Sequence, residues 1–99
     1  MKKLKVLGYQ YEVKRDLATN SSNACALFDS IKMEITLPID KRPAQAEQST
    51  LLHEVIEALV YHLELNVEHT AIMGIEAGIF QVLVDNGVDL SPLTKGIDD

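Results

Sequence analysis

Apolar and polar residues alternate with a period of two over the first third of the chain and with a helical period after it. Leu4 and Val6 alternate with lysines, and Tyr9, Tyr11 and Val13 alternate with Gln10 and Glu12, which predicts β structure over Leu4 to Arg15. Gly8 separates the two sets where their phase changes, as a bulge or tight turn would. Asp16 to Asn23 (DLATNSSN) has the chemistry of a loop. Ile31, Met33, Ile35 and Leu37 then alternate with Lys32, Glu34 and Thr36, a half-buried strand that Pro38 ends. Pro43 fits the first turn of a helix, where its missing N–H costs nothing, and that helix is expected to run to about Glu64 or Leu65. After a break around Asn66, a second helix is expected from Val67 to Asp85, closed by Asn86-Gly87.

The first helix has two unlike sides. Residues four apart sit about 40° apart on a helix, so His53 and Glu57 point the same way, one turn apart. Thr50, Glu54, Tyr61 and Glu64 share their arc of roughly 100°. Leu51, Leu52, Val55, Ile56, Ala58, Leu59, Val60 and Leu63 fill an apolar sweep of about 200°. Such a helix lies deep in a domain and leaves a narrow polar slot. The second helix presents Ile72, Met73, Ile75, Ile79, Phe80 and Leu83, with Glu76 in the middle of that face. A lone ionised carboxylate is very costly to bury, so Glu76 needs a partner or an opening. No lysine or arginine lies between Arg42 and Lys95. The partner must come from the N-terminal strands, or be a metal.

These elements make an α+β domain, a small antiparallel β-sheet packed on two long helices, with 1–99 as a single unit. The segment from about residue 88 is a candidate flexible tail. An apolar share of 46% suits a globular protein, and no segment approaches the length of a membrane span. The start, MKKLKVLGYQYEVKR, is basic, but its apolar run is only Val6-Leu7, which is a strand and not a signal peptide. A net charge of −6 argues against nucleic acid or an anionic membrane as partner. The single cysteine, Cys25, permits no internal disulfide and fits a reducing cytoplasm. Nothing near it in sequence would activate it as a nucleophile. The sequon Asn20-Ser21-Ser22 has no meaning in that compartment.

The polar slot carries the candidate chemistry. H-E-x-x-H on a helix places two metal ligands one turn apart with a general base beside the first. Here the pattern is His53-Glu54-x-x-Glu57, with carboxylate in the second ligand position, and carboxylate oxygen binds zinc at about the distance imidazole nitrogen does. A three-residue pattern of this kind also occurs on ordinary solvated helix faces. His62 lies about 180° from His53 and reads as a packed structural histidine. His69 shares the face of Glu76 but stands about 10 Å from it along the axis, so one metal can hardly take both. It could orient substrate, support a ligand from behind, or replace Glu76 as third ligand. Tyr61 on the polar arc is either a rim residue or a hydrogen-bond donor to a reaction intermediate.

A strand leading by a short loop into Ser49-Thr50-Leu51-Leu52-His53-Glu54, followed one helix later by Glu76-Ala77-Gly78-Ile79-Phe80, resembles the minimal zincin-type metallopeptidases. The resemblance is strongest to the ImmA/IrrE-like group associated with phages and mobile elements, and it covers about Ile31 to Leu83. It implies one zinc ion held by His53, Glu57 and Glu76, water activation by Glu54, and a protein or peptide substrate. Glu57 stands where the family has histidine. A non-catalytic relative that binds metal or a partner protein is the alternative. A helical nucleotide pyrophosphatase using E-x-x-E motifs and magnesium fits less well. Ile79 stands where its second motif needs a carboxylate, and that fold wants about four helices.

Overall fold

The computed structural model describes residues 2–16 and 26–98. Its first element pair is a hairpin of β1 (Lys2–Val6) and β2 (Tyr9–Asp16), antiparallel from Lys2↔Val13 to Val6↔Tyr9. The turn is Leu7-Gly8, with φ of 53° and 85°. Two central residues with positive φ match the twist of the flanking strands, and Gly8 adopts that conformation without steric cost. β3 (Leu27–Asp29) and β4 (Glu34–Pro38) form a second antiparallel pair.

The two pairs join into one four-stranded sheet of order β1-β2-β4-β3, in which β2 and β4 run parallel, Glu12↔Glu34 to Asp16↔Pro38. The molecule is α+β as expected, but the sheet is mixed and not antiparallel. A parallel pair needs a long connection between its strands. Here that connection runs through residues 17–33 and contains β3, a strand too short to show a period of its own. The second predicted strand also starts later than its alternation suggests. Ile31 sits in the β3–β4 turn, 91% exposed, and Asp29 Oδ1 accepts hydrogen bonds from the backbone N–H groups of Ile31 and Lys32, both at 3.0 Å. That side-chain competition for the backbone makes a turn where period-two patterning alone predicts strand.

Helix α1 (Ala44–His62) begins after Pro43 and lies against the sheet. Its buried stripe is Glu47, Leu51, Glu54 and Ala58, spaced four, three and four residues apart. Leu51 and Ala58 join Val6, Tyr11, Val13, Ile35 and Leu37 in the core. The stripe is narrower than the apolar sweep in the sequence, and it holds two glutamates. Glu47 is matched by Arg15 of β2 in a two-pronged contact, Nη1 to Oε2 at 2.6 Å and Nη2 to Oε1 at 2.9 Å. Such a fork satisfies both carboxylate oxygens, which a buried charge requires.

The chain then reverses. Glu64 takes a left-handed φ of 53°, its N–H reaching Tyr61 O, while Leu65 N–H reaches Val60 O at 3.0 Å. These two bonds close α1 in a Schellman arrangement. Helix α2 (His69–Asp85) runs back along α1 and ends in the same way at Gly87, φ 74°. Of its expected apolar face only Ile72 is buried; Met73, Ile75 and Ile79 are exposed, because α2 packs chiefly on α1 and not on the sheet. A 3-10 turn (Ser91–Leu93) follows. Leu93 and Ile97 pack on the core, and Asp98 Oδ1 accepts from Arg15 Nε at 2.6 Å. Cys25 and the sequon at 20–22 lie outside the described residues.

Candidate metal centre

The reversal between the helices decides which side chains meet. Because α2 runs back along α1, His69 at its start lies beside Glu57, and Glu76, two turns later, lies beside Ser49. His53 falls between these two levels. His53 Nε2 is 3.6 Å from Glu57 Oε1, and His69 Nδ1 is 3.2 Å from the same oxygen. One donor atom from each of His53, Glu57 and His69 lies within 4.8 Å of the other two. The imidazole rings stand edge to face, with centroids 5.1 Å apart. Four ligands around zinc at bond lengths of about 2.0–2.2 Å leave roughly 3.3–3.5 Å between neighbouring donor atoms. The two Glu57 separations match that spacing, and the donor set suits the ion: two imidazoles and one carboxylate is a set found in catalytic zinc sites. His53 and Glu57 are half-buried and His69 is 67% exposed, so the cluster is open to solvent on the α2 side.

Glu76 lies behind this cluster. Its Oε1 is 3.9 Å from His53 Nδ1, the nitrogen turned away from Glu57. Its Oε2 accepts a hydrogen bond from the Ser49 hydroxyl at 2.8 Å. Among the described residues no lysine or arginine pairs with it; the basic residue that does reach the helices, Arg15, is engaged by Glu47 and Asp98.

Glu54 occupies the sheet-facing stripe and not the polar slot, and it makes no hydrogen bond among the described residues. Burial, and secondarily the charge of Glu57, push its carboxyl up to about 7. Tyr61 is turned away from the cluster; its ring neighbours are Phe28 and His62. His62 is packed as expected, stacked on Tyr9 with centroids 3.9 Å apart and hydrogen-bonded to the buried Tyr11 hydroxyl.

Sequence reasoning singled out His53, Glu54, Glu57, His69 and Glu76 as candidates, with His53, Glu57 and Glu76 as the implied ligand set, but gave Ser49 no role. Its signal was available: Ser49 precedes His53 by four residues, hence sits one turn before it on the same face. It did not distinguish His69 from Glu76 as the partner of Glu57, since that depends on how far α2 slides along α1. No protein-family model, curated protein or solved structure matches this chain.

Proposed function

We propose that this protein is a zinc-dependent hydrolase of peptide bonds, with the ion held by His53, Glu57 and His69. One observation carries the reading: two imidazole nitrogens, from different helices, face the same Glu57 oxygen at 3.6 and 3.2 Å. Zinc, when bound, polarises a carbonyl and lowers the pKa of water. His53 and Glu57 hold the ion from one rigid turn of α1, and His69 holds it from α2. Glu54, beside His53 in the chain, is the proton acceptor of the reaction. In that turn it is the carboxylate that makes no hydrogen bond among the described residues.

The peptide substrate and a zincin-like fold follow from the resemblance to the minimal zincin-type peptidases of phages and mobile elements, and a cytoplasmic location from the single cysteine, Cys25. No helix among the described residues is long and apolar enough to cross a membrane, and the net charge of −6 disfavours nucleic acid as a ligand. A second reading, a non-catalytic metal- or protein-binding relative, is favoured by the position of Glu54 on the buried stripe of α1.

Protein purified without chelator should contain one zinc ion per chain by elemental analysis, and added zinc should raise the melting temperature. Absence of both effects removes the metal reading. Glu54→Gln should keep the zinc and lose peptide hydrolysis. If the parent binds zinc yet cleaves no peptide, the binding reading replaces the hydrolase; if parent and variant cleave equally, Glu54 is not the base.

A further inference from the structure

Two glycines stand in the open on α2. Gly74 and Gly78 are exposed, one turn apart near the middle of the helix, and a Cβ added at either would meet nothing within 4 Å among the described residues. Neither has the positive φ that calls for glycine. Glycine in an exposed helix interior weakens the helix relative to alanine, so nothing in the described chain accounts for two of them. Beside them lie Ile75, Ile79 and Val82, between 41% and 61% exposed, and with Leu83 these residues bound a groove of about 410 Å3. Gly74 is about 160° around the helix from the buried Ile72, so this side faces away from α1. From His69 to Val84 the helix carries one carboxylate, Glu76, and that one is turned to Ser49 of α1. The outward side is therefore uncharged over four turns, on a chain of net charge −6.

We propose that this side of α2 is the interface of a two-fold dimer, in which the α2 helices of two copies of this chain cross antiparallel at Gly74 and Gly78. Small residues let two helix backbones approach closely, and rows of larger side chains pack into the grooves so formed. This face holds both parts side by side, the glycine groove and the ridge of Ile75, Ile79 and Val82. A copy related by a two-fold axis lays its ridge in the groove and receives the other ridge in return. A foreign partner would need only the groove; a self-complementary contact needs both. Charge sets the direction. A parallel pair would bring the two exposed Asp85 carboxylates together, whereas an antiparallel pair turns each toward the positive N-terminal end of the other helix. Acidic chains repel one another, and least where they meet through a neutral face. The 17 residues of α2, at about 1.5 Å each and a radius of about 5–6 Å widened by a water, offer roughly 500–600 Å2 on the outward half. Two copies bury at most about 1,000–1,200 Å2, the lower limit for a specific interface, which makes the dimer weak and leaves the dilute chain single. His69 and Glu76 lie on the side turned to α1, so the dimer does not rest on the zinc reading.

Sedimentation velocity of the full chain in chelator should show one species passing from one chain to two, with a Kd of about 10–100 µM. Gly78→Leu fills the groove without a clash inside the described chain, so it should raise the melting temperature of dilute protein while weakening association about 10-fold or more. Ile75→Glu should weaken it at least as much and leave the fold of the dilute chain unchanged. Asp85→Lys should weaken association about 2- to 5-fold, because lysine then faces the positive helix end. A chain that stays single at millimolar concentration overturns the proposal and leaves the face to another partner. Association that continues past two chains overturns the two-fold contact. Parent-like association in both Gly78→Leu and Ile75→Glu places the interface elsewhere, and a gain in Asp85→Lys overturns the antiparallel arrangement.

Discussion

Glu54 sets the terms at the scale of single residues. It sits 6% exposed among core groups, and its carboxyl is raised from 4.5 to about 7 by burial and by Glu57. A raised folded pKa means that the folded chain holds its proton more tightly than the unfolded chain. The metal-free protein therefore has this group's full stability below pH 4.5 and loses it as pH rises toward about 7. The shift corresponds to roughly 3 kcal/mol at about 1.4 kcal/mol per unit, an upper figure for one buried carboxyl. Glu54→Gln should remove that slope and exceed the parent's stability at pH 8 by about 1–3 kcal/mol. Urea melts of both proteins in chelator at pH 5 and pH 8 give the difference; a parent slope that survives in the variant would falsify the assignment.

At the scale of elements, the centre depends on the turn between α1 and α2. Leu63 and Glu64 must reverse the chain so that His69 arrives beside Glu57. They do so with Glu64 at φ 53°, where a side chain is strained and glycine is not. Helix α2 uses glycine at the equivalent place, Gly87, with φ 74°. Glu64→Gly should stabilise the metal-free protein by about 0.5–1 kcal/mol, while Glu64→Val should cost stability. Denaturant midpoints of the two variants decide the matter, and a loss of stability in Glu64→Gly would show that the turn is not held as described. The other end of α1 is fixed differently. Arg15 of β2 grips Glu47 in its first turn and Asp98 near the C-terminus, so one guanidinium ties sheet, helix and tail together. Both neighbours raise its pKa, Glu47 chiefly, which keeps it charged throughout.

For the whole molecule, the distribution of burial is uneven. The sheet and α1 share the core, whereas α2 contributes only Ile72 to the buried set and leaves Met73, Ile75, Ile79 and Val82 exposed. An element with so little buried apolar surface is drawn from the low-stability end of a fold. The proposed ion would join α2 to α1 through His69, so zinc should stabilise α2 more than the sheet. Hydrogen exchange should show α2 amides opening well before those of β2 and β4 in chelator, with zinc closing most of that gap. Equal protection of all elements by zinc, or protection confined to α1, would contradict a ligand contributed by α2.

Local periodicity was enough to place β1, β2, most of β4 and both helices, because each carries an apolar face and the period of such a face is a property of neighbouring residues. It was also enough to put His53 and Glu57 on one turn, since a helix relates residues four apart whatever surrounds it. The short strand β3, the turn at Ile31 and the parallel pairing of β2 with β4 lay beyond it. The first is too brief for a period, the second is set by the Asp29 side chain, and the third joins strands separated by a long connection. The apolar face expected of α2 was a real pattern, but pattern does not say whether another surface covers it. The choice between His69 and Glu76 as neighbour of Glu57 was likewise tertiary. It turns on the offset between two antiparallel helices, where a slide of one turn, about 5.4 Å, exchanges one set of facing residues for the next. No single helix encodes that offset; the reversal at Leu63-Glu64 and the packing of α2 on α1 decide it.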